Sequence, residues 1–342
     1  MIRGRTRPTS YHTIQPLLIV YFREIDRIVS PGEDFYMQIS LRKTSWLTSG
    51  ALFLAALCWG LAPVATRYLL AYFAPLQLVL ARFLIAIILF LPLLWPLRTH
   101  RWTVKKLAWA VFCGLTSVVG YNVTVTYGLR TIPAGVAGLL IASEPIWILL
   151  IAALVLREKI SWTVLAGLLL ALAGIALLLS QETLGAAWNL ATLIGVLLVL
   201  LAALMWSIYT VAVRSLSKEL GARASTALTI MIGTLPLLAF WDGTTWPLLA
   251  HLSSVAWFAL ALLALGSTVV ATILWNYGVA RTASSQAGLY LYLVPLISVA
   301  GGALFLHEQV GIVTLASGLL IITGVALAQV RRLPWRGHEA NK

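Results

Sequence analysis

Charge is what this chain most lacks. Of its 342 residues, 10% are Asp, Glu, Lys or Arg, where soluble domains carry roughly a quarter. Acidic residues are the scarcest, 11 in all, and no aspartate pair suits general acid–base chemistry. Cysteine occurs twice, as Cys58 and Cys113, both within apolar runs, so neither a disulfide framework nor a thiolate metal site is inferred. The five histidines (His12, His100, His251, His307 and His338) are scattered without ligand spacing. A His-Glu-x-x-His zinc motif and a Gly-x-x-x-x-Gly-Lys phosphate loop are both missing. The expectation is therefore no enzyme, no cofactor and no bound metal.

What the chain has in abundance is apolar length. Hydrophobic residues make up 61%, gathered in about ten runs near 20 residues, each enough to cross a hydrocarbon core as a helix. Their limits are 47–70, 75–97, 107–129, 133–156, 161–180, 191–213, 225–241, 255–278, 284–306 and 310–330. The runs lack the alternation of barrel strands. This predicts an all-α membrane protein with about ten transmembrane helices.

The net charge of +13 would suit nucleic acid, but its placement argues for topology. With the N-terminus taken as cytoplasmic, one set of loops and tails holds sixteen bases, among them Arg98, Lys105, Lys106, Arg157, Lys159, Arg214, Lys218 and Arg223. The alternate loops hold two, Arg67 and Arg130. The positive-inside rule then puts both termini in the cytoplasm of a multi-pass protein of the inner or plasma membrane. No nucleic-acid partner is expected.

One passage occurs twice, 150 residues apart. Tyr127-Gly128 recurs as Tyr277-Gly278, Gly138 as Gly288, Pro145 as Pro295, Glu158 as Glu308 and Gly174 as Gly324. Upstream, Leu54-Ala55-Ala56-Leu57 with Trp59 and Arg67 recurs at an offset of 147 as Leu201-Ala202-Ala203-Leu204 with Trp206 and Arg214. Five spans per half is an odd number, so the second half enters the membrane from the opposite side. Arg157-Glu158-Lys159 becomes His307-Glu308-Gln309: the glutamate persists and the bases go, as an inverted repeat requires.

The organisation read from this is a first repeat over 46–180, a linker over 181–190, a second repeat over 191–330 and a basic cytoplasmic tail over 331–342. Residues 1–45 do not match the rest. Their apolar run, Leu17 to Phe22, is too short to span, and bases surround it. An amphipathic surface helix is one reading; the favoured one is an over-extended, disordered N-terminal extension with Met37 as the natural first residue.

These motifs resemble the drug/metabolite transporter superfamily, and within it the EamA family of ten-helix carriers. The resemblance rests on Cys58-Trp59-Gly60 with Pro63, on Pro75 with Arg82 and Phe83, and on the paired motif from Tyr127-Gly128 to Gly174 and from Tyr277-Gly278 to Gly324. It covers about 46 to 330. It implies two inverted five-helix repeats and secondary transport, mostly outward, of amino acids, other metabolites or drugs.

Arg82 and Glu144 are the ionisable side chains well inside predicted spans. A charge at that depth costs at least ~2.5–3.5 kcal/mol and needs a partner or a wet cavity. Arg82 is read as an anchor for a substrate carboxylate, Glu144 as a partner for an amino group or a transported proton. The alternatives are an ion pair between them, or an Arg82 that reaches the headgroups. Trp59, Trp147 and Trp206 lie away from the interfacial belts, and each indole needs an acceptor. Tyr121, Asn122, Asn276, Tyr290 and Tyr292 complete the candidate substrate-binding set. Pro145 and Pro295 are paired candidates for helix breaks around a central site, and Pro63 is a third gating candidate in the first span. Glu158 and Glu308, at span ends near water, are assigned to capping or backbone hydrogen bonding. Gly167, Ala171 and Gly174, and Gly301-Gly302 beside Ser298, are assigned to close helix packing.

The reading is a secondary transporter working by alternating access between its repeats, probed against a sensor or channel reusing the carrier fold. Its named partners are a small-molecule cargo, the bilayer, protons as coupling ion and a second copy in a homodimer.

Overall fold

The computed structural model describes residues 46–329 apart from 101, 157–161, 179–189, 242, 280 and 283. The expectations for residues 1–45 and for Glu158 fall outside them. All regular structure among the described residues is helical. Among the described residues, nine helices are long and apolar enough to cross a bilayer. They are α1 (Trp46–Leu69), α2 (Pro75–Trp95), α3 (Val104–Gly128), α4 (Ala134–Ile151 as its apolar core), α6 (Leu190–Leu220), α7 (Ala222–Phe240), α8 (Ser254–Val279), α9 (Ala287–Leu306) and α10 (Ile312–Gln329). The tenth, α5 (Trp162–Leu178), has 17 residues, at the short end of what spans.

The helices depart from uniformity in matched pairs. The second span of each half carries Leu-Pro-Leu-Leu, at Leu91–Leu94 and Leu235–Leu238. There α2 and α7 both tighten from α-helix into 3₁₀ turns, over Leu91–Thr99 and Leu235–Phe240, because proline cannot donate to the ladder. The fourth span of each half is divided: α4 into α4a (Ala134–Ile141) and α4b (Glu144–Leu156), α9 into α9a (Ser284–Leu291) and α9b (Leu293–Leu306). Pro145 and Pro295 thus sit in the first turn of a second segment, where a missing N–H is harmless, rather than inside an unbroken helix. Each first segment ends four residues before its proline, at the carbonyl the ring would strike. Pro63 differs: α1 runs continuously through it, so it does not divide its span.

The third span of each half contains a nine-residue π-helical stretch, Leu115–Val123 in α3 and Leu262–Val270 in α8. Helix α6 extends seven residues past its predicted apolar limit, since Arg214, Lys218 and Glu219 continue the helix beyond the apolar run. Gly221, at φ 80, turns the chain directly into α7.

The halves interlock reciprocally. Helix α1 packs on α8 and α9 of the second half, and α6 packs on α3 and α4 of the first. Likewise α2 meets α8 while α7 meets α3, and α4 meets α9. The most extensive interface joins α5 to α10. Glycines make it possible: a Cβ on Gly167 would strike the Gly324 carbonyl, and one on Gly324 would lie 2.6 Å from the Ala171 nitrogen. The fold is an all-α membrane protein of two inverted five-helix repeats.

Candidate functional site

Arg82 lies seven residues into α2, about 10 Å from its start at 1.5 Å per residue. It does not turn to the headgroups, and no ion pair joins it to Glu144 among the described residues. Its guanidinium points into the bundle and binds neutral oxygens from both halves. Nε donates to Thr268 Oγ1 at 3.1 Å, one terminal nitrogen to Asn122 Oδ1 at 3.1 Å and the other to Ser267 Oγ at 3.0 Å. Asn122 belongs to the π stretch of α3, Ser267 and Thr268 to that of α8. One cation therefore bridges the two matched irregularities.

A π turn leaves backbone carbonyls out of the ordinary register, and side chains take them up here. Asn122 Nδ2 donates to the Ser117 carbonyl at 2.8 Å, and Trp59 Nε1 donates to the Ser267 carbonyl at 3.0 Å. Ser117 and Ser267 stand 150 residues apart, at equivalent repeat positions. Thr268 Oγ1 also donates back to the Leu263 carbonyl at 2.8 Å, five residues earlier. The hydroxyl rotors are thereby fixed, which leaves their lone pairs aimed at Arg82.

Aromatic side chains flank this centre in two groups. Trp59 on α1 packs at 5.4 Å on Trp275 of α8, and Trp206 on α6 packs at 5.0 Å on Tyr121 of α3 and at 5.2 Å on Tyr209. Trp59 and Trp206, repeat equivalents, thus each pack on the third span of the opposite half, though on non-equivalent residues. Tyr121 lies within electrostatic reach of both Arg82 and Glu144. Glu144 opens α4b just after the break. Its backbone carbonyl accepts from Ser207 Oγ of α6 at 3.1 Å, while its Oε1 is buried with no hydrogen-bond partner among the described residues. A buried carboxyl oxygen left unpaired is the kind of exception that marks function.

Other predicted residues go elsewhere. Trp147 gives its N–H to Ser143 Oγ at 3.2 Å, within its own broken helix. Tyr292 sits at the α9 break and donates to Gln329 Oε1 of α10 at 2.9 Å. Asn276 and Tyr290 are half-buried on α8 and α9a and are not among the hydrogen-bond partners of Arg82. Sequence reasoning missed Ser267 and Thr268; the signal was a Gly-Ser-Thr in an apolar span, with its serine matched to Ser117.

A ten-helix membrane bundle whose interlocked halves hold a polar cluster between them has the architecture of a transporter, and comparison with known proteins agrees. The EamA-like transporter family matches residues 46–180 and 193–329. An uncharacterized transporter of Archaeoglobus fulgidus is 26% identical, over 80% of this chain and 95% of its own length. A probable terminal-alkyne amino-acid exporter of Streptantibioticus cattleyicolor is 30% identical, over 89% and 98%. The uncharacterized transporter YvbV of Bacillus subtilis is 30% identical, over 83% and 92%. A crystal structure of a protein with 22% identity shares the fold, with a TM-score of 0.57, covering 86% of this chain and all of that one. The chain belongs to the EamA-like transporter family.

Proposed function

We propose that this transporter exports a small zwitterionic metabolite, an amino acid or close analogue, across the cell membrane by alternating access between its repeats. The observation that carries the reading is the state of Arg82. An arginine has five N–H donors; three are engaged by neutral oxygens, which leaves two donors and a whole positive charge with no anion paired to it among the described residues. A carboxylate accepts two parallel N–H bonds and supplies that charge. Glu144, like Arg82 within electrostatic reach of Tyr121, supplies the opposite charge for an amino group, or for a proton carried in exchange. The aromatic pairs around them suit a solute with an apolar side chain. That a relative is named as an amino-acid exporter supports the same reading. The base-rich ends face the cytoplasm and the base-poor end faces outward, with both termini inside.

Export measured in cells or proteoliposomes loaded with labelled amino acids tests this. Arg82→Gln removes charged hydrogen bonds worth about 1.5–3 kcal/mol each, so binding falls roughly ten- to a hundredfold while insertion is unchanged. Full transport by Arg82→Gln would refute the carboxylate assignment. Glu144→Gln abolishes transport with normal insertion if it carries the amino group or the proton. Dependence of export on the pH gradient separates those two, since only the proton role makes uncouplers inhibitory.

A further inference from the structure

We infer that Arg67 and Glu308 form the gate of the base-poor face, a lock that must open for cargo to leave. The inference rests on the alternating-access reading but not on the identity of the cargo. Glu308 follows α9b, where His307 takes a positive φ of 53 and turns the chain back over the helix end. Its N–H donates to the Gly302 carbonyl at 3.1 Å. A Cβ on Gly302 would collide with the Glu308 carboxylate, so glycine is required there for the carboxylate to lie flat.

From that position the carboxylate crosses into the first half. Oε1 accepts from the Ala134 N–H at 2.7 Å and Oε2 from the Gly135 N–H at 3.0 Å. These are the first two residues of α4a, whose N–H groups have no partner within the helix. Arg67, ending α1, approaches Oε1 at 3.2 Å through Nε. One terminal nitrogen of Arg67 donates to the carbonyls of Leu129 and Ile132, at 2.7 and 2.6 Å, in the turn from α3 to α4. A single second-half side chain is thus gripped by α1 and the start of α4a, with the α3–α4 turn holding Arg67 in place. The Glu308 side chain is 11% exposed and that of Arg67 32%, so the knot is sheltered but stands at the rim. Beneath it, α4a and α9b close together: Ser298 Oγ donates to the Ala134 carbonyl at 2.9 Å.

The bonds of Glu308 to Arg67, Ala134 and Gly135, and that of Ser298 to Ala134, join the two halves, which alternating access must separate at this end, while Arg82 bonds instead to α3 and α8 at Asn122, Ser267 and Thr268. The knot closes one face without touching the cargo cluster. A gate needs that separation, because it has to break while the cargo remains bound.

The test needs no cargo. Val299 packs beneath the knot, 3.6 Å at its Cβ from where a Cβ on Gly135 would lie. In sealed vesicles with the base-poor face outward, a membrane-impermeant thiol reagent labels Val299→Cys slowly while the knot is closed. Adding Glu308→Gln or Arg67→Gln speeds labelling roughly tenfold, the change that about 1.4 kcal/mol produces. Labelling rates unchanged in both, with melting temperatures showing folded protein, would overturn the gate and leave a static staple. Should Glu308→Gln fail to fold, Arg67→Gln decides alone. Loss of the Arg82 reading would not alter these rates, and unchanged rates would not alter that reading.

Discussion

At the scale of single residues, three neutral oxygens decide what Arg82 does. Asn122, Ser267 and Thr268 orient a guanidinium without neutralising it, so the cation stays available. Ser267→Ala or Thr268→Val each removes one such bond, worth about 1.5–3 kcal/mol to a charged group. Cargo affinity should fall several-fold to a hundredfold with little change in expression; a transport assay over a range of cargo concentrations reads it as a raised half-saturation. Arg82 and Glu144 were legible in the sequence because ionisable residues are costly in lipid. Their partners were not, since hydroxyls within apolar spans ordinarily bond back to their own helix, as Ser267 Oγ does to the Leu263 carbonyl at 2.9 Å. Glu308 was legible as a backbone acceptor, whereas its pairing with Arg67 joins span ends 241 residues apart and no local pattern marks it.

At the scale of elements, the breaks in α4 and α9 follow from one steric clash used twice. Pro145→Ala supplies an N–H for the Ile141 carbonyl and removes the ring that opposes it, so α4a and α4b can join. The expected outcome is a protein that inserts normally and melts higher but transports more slowly; melting in detergent beside initial transport rates checks it. The α5–α10 seam makes the opposite demand. Gly324→Leu places a side chain where the nearest atoms are the Ala171 nitrogen and the Gly167 carbonyl, both at 2.6 Å. Overpacking there costs about 1–3 kcal/mol or more, seen as a lower melting temperature or loss of folded protein. The Pro pair and the glycines could be read from sequence spacing. The π stretches could not, because their residues are the same apolar and small types that build the α-helical turns around them.

At the scale of the molecule, each half completes the other: α1 lies against α8 and α9, α6 against α3 and α4. A cross-link between α4a and α9b therefore ties one half to the other at the base-poor face. The Gly135→Cys/Val299→Cys pair brings its thiols within reach, since the 3.6 Å between Cβ positions falls within the ~3.5–4.5 Å of disulfides. Oxidation is expected to stop transport and dithiothreitol to restore it; a fully oxidised protein that still transports would contradict motion at this interface. The inverted halves were foreseen from the loop charges, because the positive-inside rule writes topology directly into sequence. Which helices exchange partners between halves was not, since reciprocal packing depends on shape across the interface.

The two π stretches give that symmetry a final asymmetry. In the first half the displaced carbonyl, that of Ser117, is satisfied from within α3 by Asn122; in the second, that of Ser267 is satisfied by Trp59 from α1. One flexure is self-contained and the other is guyed to a neighbouring helix. Two irregularities matched as copies are thus tied differently: α3 satisfies its own carbonyl, whereas α8 at Ser267 is fastened to α1.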